Sequence, residues 1–436
     1  MVRFKFKTSL IIAIFFLFIY FSVESLFPRK QEDKNVSKQF LKSICTTASD
    51  SYLLDNMEIN CSNILKGYKT NEKLDIMHLD IIEEQLFSCT NKCQTLKTLF
   101  RFNTNPMSAE EKHFPLSYGM LVYKDLPQVL FLLSSIYHPQ NEYCIAVGEN
   151  SAPIFQNLLR EVSTCFSNVH FMKRPPISWG SHEIIDSVYD CLEFLSHLET
   201  DWRYFQYLSG VDIPLKTNLE MVQILKHLNG TSNVEITNYQ QARLTGKNEN
   251  ESPLPLFKSS LSAIIPRKAA NQLASSNTAR KLLEFLWNTE IADEGFWGTL
   301  FGNKDQFNIS GSINSKDWME YRDNQNNIFN PTDGWSYYIS RDQIWDPELC
   351  KNYMKDDSCV FGIGDVPRLR TSKALVAHKF YLKSEPEAYF CLLKEHHRRT
   401  INPDLTFDAS KYSELPQVEL SRGLAMSQLT HQNWIL

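Results

Sequence analysis

The stretch IADEGFWGTL, residues 291–300, sets two carboxylates, Asp293 and Glu294, ahead of an apolar, aromatic run. Two chemistries fit such a pair. Acids in the first turn of a helix complement the positive end of its dipole. A carboxylate facing a cleft can also act as a general base, taking the proton of a hydroxyl as that oxygen attacks. The two residues by themselves leave both readings open. Other catalytic patterns are missing. There is no G-x-G-x-x-G or G-K-S/T loop, and FGIGDVP (361–367) is too short for one and is expected to precede no helix. G-x-S-x-G and H-E-x-x-H are absent, which argues against an α/β-hydrolase and a zincin metalloprotease. His396 and His397 in KEHHRR read as a solvated helix face rather than a metal site.

The elements that must position such a base follow from hydrophobic patterning. SYGMLVYK (117–124) reads as a buried strand, LPQVLFLLSSIY as a helix and EYCIAVG (142–148) as a second buried strand, which makes a βαβ unit. HEIIDSVYDCLEFLSHL reads as a helix, RYFQYLSG as a strand and SSLSAIIP as another strand. Thr217 and Glu220 form a T-x-x-E capping box ahead of LEMVQILKHL, and Pro266 suits the first turn of the next helix. The alternation predicts an α/β fold with a largely parallel central sheet flanked by helices. NYQQARLTGKNENESP reads as a surface loop of the kind that carries binding residues.

The chain of 436 residues is 43% hydrophobic, enough for a sizeable core, and its net charge of −5 disfavours nucleic acid as a partner. Arg3, Lys5 and Lys7 precede the apolar run Leu10–Val23, and acids follow it. Basic residues before an apolar span keep the N-terminus cytoplasmic, and bulky Phe21, Leu26 and Phe27 stand where a cleavage site needs small residues. The expected organisation is a cytoplasmic tail (1–8), a transmembrane signal anchor (9–27), a flexible stem (28–57) and a lumenal domain (58–436). Ten cysteines and five N-x-S/T sequons agree with a lumenal location. Asn35, Asn229, Asn250 and Asn308 are the candidate glycosylation sites, and Asn60, with a cysteine in the middle of its sequon, ranks last.

The segments FPLSYGMLVYKDL, CFSNVHFM, YLSGVDIPLKTNLEMV, PLFKSSLSAIIPR, DEGFWGTL and SCVFGIGD occur in this order. In them the chain resembles the core 2 β-1,6-N-acetylglucosaminyltransferases, the O-glycan branching enzymes, over roughly residues 58–400. The resemblance implies a GT-A-like fold and a single-pass type II protein of the Golgi membrane. It also implies an inverting transfer from a UDP-sugar donor to the 6-hydroxyl of GalNAc in a mucin-type Gal-GalNAc acceptor. No cofactor and no metal are expected, because D-x-D, with which many Golgi sugar transferases hold a metal on the nucleotide diphosphate, is absent. Disulfides are implied between Cys61 and Cys391, Cys93 and Cys165, Cys144 and Cys191, and Cys350 and Cys359. Cys45 and Cys89 are left over, with each other as available partners.

By position, the resemblance makes Glu294 the catalytic base and leaves Asp293 to cap the helix. It implies donor contacts at Leu121, Val122, Tyr123, Trp179 and Lys379, the last as a diphosphate lysine. It implies acceptor contacts at Glu235, Arg243, Lys316, Trp335 and Tyr337. Two positions depart from the family. An arginine is replaced by Asp356, which leaves Lys355, Arg368 or Arg370 to substitute, and an acid is replaced by Gly148, with Glu149 next to it. The departures keep open another UDP-hexose such as glucose, a xylosyltransferase-like activity, or a catalytically silent glycan-binding protein.

Overall fold

The computed structural model describes residues 52–69, 74, 76, 79, 82–324 and 337–431. The proposed anchor (9–27), Asn35, Cys45 and Trp335 lie outside them, and among the described residues no helix is long and apolar enough to cross a membrane. The chain divides into Met1–Ser49 and a compact unit Asp50–Leu436. Tyr52, Leu53, Leu54 and Met57, which fall within the expected stem (28–57), are buried. The packed body therefore starts earlier than the expected boundary at residue 58.

Four parallel strands build the centre: β1 (Leu116–Val122), β2 (Glu142–Gly148), β3 (Val169–Arg174) and β4 (Tyr204–Ser209). A short β5 (Asp212–Pro214) follows, then the paired β6 (Thr237–Asn238) and β7 (Phe257–Lys258). β8 (Ile264–Pro266) closes the sheet antiparallel to β4, giving the order β3-β2-β1-β4-β8. β9 (Arg341–Asp342), the hairpin β10 (Tyr353–Lys355) and β11 (Ser358–Val360), and β12 (Val376–His378) complete the described strands, with β5, β12 and β9 forming a second small sheet. The strand order reverses beside β1, and the carboxyl ends of β1 and β4 at such a reversal are the usual place of a ligand crevice in open α/β sheets.

Local chemistry explains why this arrangement holds. β1 and β2 are almost fully buried, which suits central parallel strands. Tyr118 and Gly119 face opposite sides of the sheet. On one side Tyr118 donates through its hydroxyl to Met221 Sδ of the helix Asn218–Leu228. On the other a Cβ at Gly119 would lie 2.6 Å from Phe205 Cζ and 3.4 Å from Cys191 Cβ. Only glycine lets the helix Glu183–Ser196 come this close, and Cys144–Cys191 then fastens that helix to β2. The Thr217–Glu220 capping box forms as its spacing predicts.

Disulfides join Cys61 to Cys391, Cys93 to Cys165, Cys144 to Cys191 and Cys350 to Cys359. Cys89 is disulfide-bonded as well. The first bridge spans 330 residues and ties the start of the packed body to the helix Pro386–Ile401, worth about 5–6 kcal/mol of loop-closure entropy.

Three local expectations change. β3 escapes the apolar pattern because it is a half-exposed edge strand of sequence VHFMKR, and the preceding helix Pro153–Cys165, not among the expected elements, buries Phe155, Leu158, Leu159 and Val162 at helical spacing. His396 is buried rather than solvated; desolvation pushes its pKa down to about 3, and Nε2 meets the carbonyl of Lys216. FGIGDVP does lead into a helix, Val366–Thr371, but its amides are already used. Gly362 N–H donates to Asp365, and Ile363 N–H donates to Glu385 at 2.5 Å.

Candidate active site

Residues 291–295 form a tight turn. Ile291 sits in the left-handed region (φ 51°) and a 3-10 turn runs Ala292–Gly295. A β-branched residue there stores roughly 1–3 kcal/mol of strain, held by the buried Phe296 and Trp297 that follow. Gly298 lets the helix Trp297–Phe301 lie directly on the end of β7, since a Cβ would meet the Lys258 carbonyl at 3.0 Å. Ser259 N–H donates to the Glu294 carbonyl at 2.7 Å, and Ser259 Oγ accepts from Gly298 N–H. These bonds bring two cations onto Glu294. Arg243 Nη1 lies 2.6 Å and Lys258 Nζ 3.3 Å from Glu294 Oε2, and the carboxylate is 13% exposed. Both of these contacts fall on Oε2.

Asp293 does not cap a helix. It is buried, and Oδ1 has no hydrogen-bond partner among the described residues. Burial, and then the neighbouring Glu294 charge, push its pKa up to about 7. The expectation of a cap fails because the turn enters through Ile291, which makes no side-chain cap bond.

Behind the turn a polar network fills the end of β4. Asp212 Oδ2 accepts from Ser209 N–H (2.7 Å) and from Arg341 Nη2 (3.1 Å), while Oδ1 pairs with His378 Nδ1 (2.7 Å). Burial alone would raise Asp212, yet Arg341 and His378 hold it below the usual carboxylate range. Desolvation and Arg341 together push His378 down to about 4. Arg341 lies over the Tyr207 ring at 5.3 Å. Because His378 precedes Lys379, the network reaches the second pole of the crevice.

Lys379 is 5% exposed; desolvation lowers its pKa, against the pull of Asp356. Its Nζ donates to the Lys355 carbonyl and lies 3.7 Å from Asp356 Oδ2. Asp356 and Asp357 form the turn of the β10–β11 hairpin, both at positive φ, which aspartate tolerates in two-residue hairpin turns. The hairpin, stapled by Cys350–Cys359, thus lays an acid against the lysine. Of the three substitutes for the missing arginine, Arg368 is committed to Asp342 (2.9 and 3.0 Å) and Arg370 to the Leu65 carbonyl and Glu395. Lys355 is exposed, over the Tyr381 ring at 4.4 Å. Lys124, which no motif singles out, carries a pKa raised by its hydrogen bond to Tyr123 and by Tyr381, which places it in the same cluster.

The remaining candidates separate. Leu121 and Val122 end β1, Val122 is buried, and the next residue, Tyr123, is 58% exposed. Gly148 is buried, and a Cβ there would meet Asn150 Oδ1 at 2.7 Å. That Asn150 side chain clamps the backbone N–H and carbonyl of Ile177, anchoring the loop that carries Trp179, which is 69% exposed. An acid at 148 would break the clamp, and Glu149 does not replace it, being paired outward with Lys173 at 2.8 Å. Tyr337 is buried and brackets Ile236, accepting from its N–H and donating to its carbonyl, which fixes Glu235 between buried neighbours. Lys316 is exposed on the helix Ser315–Asn324. Asn229, Asn250 and Asn308 are exposed, whereas the Asn60 side chain caps the helix Cys61–Ile64. Lys258 and the Asp212–Arg341–His378 network are not among the expected site residues, although Lys258 and Asp212 lie in two of the segments that carry the resemblance. Their signals in the chain are a lysine inside PLFKSS and the acid of SGVD just past a strand.

The Core-2/I-Branching enzyme family model matches residues 116–333. The chain is 27% identical to the rat β-1,3-galactosyl-O-glycosyl-glycoprotein β-1,6-N-acetylglucosaminyltransferase 3, over 77% of this chain and 82% of that one. It is likewise 27% identical to a human β-1,3-galactosyl-O-glycosyl-glycoprotein β-1,6-N-acetylglucosaminyltransferase, over 77% and 84%. It is 25% identical to the human N-acetyllactosaminide β-1,6-N-acetylglucosaminyl-transferase, over 92% and 96%.

Proposed function

We propose, on the premise that this chain belongs to the Core-2/I-Branching enzyme family, that it transfers N-acetylglucosamine from UDP-GlcNAc to the 6-hydroxyl of GalNAc in a Gal-GalNAc O-glycan core. The chain is a glycosyltransferase; its donor, acceptor, base and metal independence are the proposal. The carrying observation is Glu294, fixed through Oε2 by Arg243 and Lys258 at the edge of the crevice. Oε1 takes the hydroxyl proton as O6 attacks the anomeric carbon. The C1–O6 bond forms as the bond from C1 to the diphosphate oxygen breaks on the opposite face. UDP leaves with the electron pair, and an α-linked donor gives a β-linked product. The proposed architecture is GT-A-like, lumenal and anchored in the Golgi membrane by residues 9–27.

Negative charge on the leaving diphosphate is met by lysine side chains, Lys379 first, with Lys355 beside it and Lys124 near the Tyr381 ring over which Lys355 lies. Asp212, the acid nearest the end of β4, is already taken by Arg341, His378 and Ser209, which supports a metal-independent reaction. The Asp356–Lys379 pair favours a second reading, in which the donor is another UDP-hexose or the site binds glycans without transfer. Incubating the full-length chain with a panel of UDP-sugars and Gal-GalNAc, with and without EDTA, is the test. Transfer of GlcNAc that survives EDTA is expected. Activity abolished by chelation and restored by manganese rejects the lysine account, and no transfer from any donor moves the silent reading to first place.

A further inference from the structure

Beside the catalytic turn lies an open cavity of about 480 Å3 that none of the assignments above uses. Its floor includes Trp287, which is 54% exposed although the surrounding backbone is held firmly. Lys247 Nζ donates to the Trp287 carbonyl and, at 2.6 Å, to the Phe285 carbonyl, and Thr245 Oγ1 donates to the Asn288 carbonyl at 2.6 Å. One edge of the indole rests on His182, with ring centroids 5.0 Å apart. His182 is fixed in turn by the Leu283 carbonyl at 2.7 Å. A large aromatic ring on a rigid support, about half exposed, is a platform awaiting a flat apolar face.

The rim states what kind of face. Asp186, Asp190 and Glu284 are opposed by Lys247 and Arg280, so the cavity mixes hydrogen-bond donors and acceptors without an excess of positive charge. Its cations are already engaged, Arg280 with Glu193 and Lys247 with the two carbonyls. That composition, with His182 also held by Asp186, leaves a phosphate no unpaired cation and suits the hydroxyls of a neutral pyranose, whose C–H face stacks on indole.

The cavity is wired to the base. Glu290 N–H donates to the Arg243 carbonyl at 2.8 Å, so residues 243–247 run beside 287–290. Arg243 holds Glu294 at one end of this segment, and Lys247 holds Trp287 at the other. Four residues span at most about 14 Å, the reach of a short oligosaccharide.

We propose that the Trp287 cavity is a second carbohydrate subsite. It holds an outer neutral sugar of the acceptor while the accepting hydroxyl sits at Glu294, so the enzyme prefers acceptors already extended beyond the disaccharide. The inference rests on Glu294 being the acceptor-side base. The test compares kcat/KM of the full-length chain for Gal-GalNAc and for the same disaccharide extended on galactose by an N-acetyllactosamine unit. Wild type should favour the extended acceptor by about tenfold. Trp287→Ala should bring the ratio near one through KM, and Trp287→Phe should restore most of it. Equal ratios in wild type and Trp287→Ala overturn the subsite. A loss confined to glycopeptide acceptors, with free oligosaccharides unaffected, also overturns it by making the cavity a peptide site. If no acceptor is used, the transferase reading fails separately, and quenching of tryptophan fluorescence by the extended oligosaccharide decides the subsite. Quenching lost in Trp287→Ala supports the subsite, and quenching retained removes it.

Discussion

The two poles of the crevice are built in opposite ways. Glu294 is an acid held by two cations that arrive from other segments, Arg243 from the polar loop and Lys258 from β7. Lys379 is a cation faced by an acid, Asp356, from the hairpin beside it. The first arrangement orients a carboxylate while leaving one oxygen to substrate. The second spends part of the lysine's charge before any ligand arrives. In the proposed reaction the acid pole takes the proton, whereas the cation pole exchanges one anion for another as the diphosphate enters. The Asp212–Arg341–His378 network adjoins the cation pole, because His378 precedes Lys379, and its Arg341 lies over the Tyr207 ring.

The comparison breaks most visibly at the acid. Glu294→Gln keeps the shape, gives up the charge that pairs with Arg243 and Lys258, and accepts no proton, so turnover should fall about 10²- to 10⁴-fold. UDP affinity and melting temperature should stay near wild type. A variant with full activity would return the pair in DEGFWGTL to a structural role.

The cation pole comes next. Lys379→Ala should lower kcat by about 10²-fold and weaken UDP binding, with the acceptor KM unchanged; calorimetry with UDP and steady-state rates separate these effects. Asp356→Asn should act in the other direction. The pair is 3.7 Å apart and half exposed on the aspartate side, so its loss should tighten UDP by only about 2- to 5-fold. Weaker binding in Asp356→Asn would mean that the acid organises the hairpin rather than competing with the ligand.

How much of this can be read from the chain follows the same division. β1, β2 and β4 announce themselves as apolar runs because they are buried on both faces. β3 does not, since an edge strand keeps polar residues such as Lys173 and Arg174. His396 sits in a charged run, yet Cys391 and its bridge to Cys61 draw that helix inward. In the site, Glu294 and Lys379 are marked by resemblance, but their partners are not. Lys258 reaches Glu294 only because Gly298 lets a helix lie on β7, and Asp356 reaches Lys379 only because a two-residue turn folds the hairpin back. Such pairings are properties of packing, which no linear spacing records.

The smallest expected effect on turnover is at Asp293, and it sharpens the contrast with its neighbour. Its folded pKa of about 7 exceeds the ordinary aspartate value of about 3.9. Below about pH 4 both states hold the proton and the group is neutral to stability. Between about pH 4 and 7 the unfolded chain has released the proton while the folded protein retains it. Stability therefore falls as pH rises through that window and levels off above it. The distance between the two values sets an upper figure of about 4 kcal/mol for the cost at neutral pH. Asp293→Asn removes the charge and keeps the volume. It should raise the melting temperature at pH 7 by on the order of 5 °C, flatten the decline between pH 4 and 7, and change kcat little. Thermal scans at a fixed rate across pH 4–8, paired with initial rates, check both halves. A destabilised Asp293→Asn would mean that the ionised carboxylate is held by Arg341. A large loss of turnover with stability unchanged would make Asp293, not Glu294, the acid that meets the acceptor.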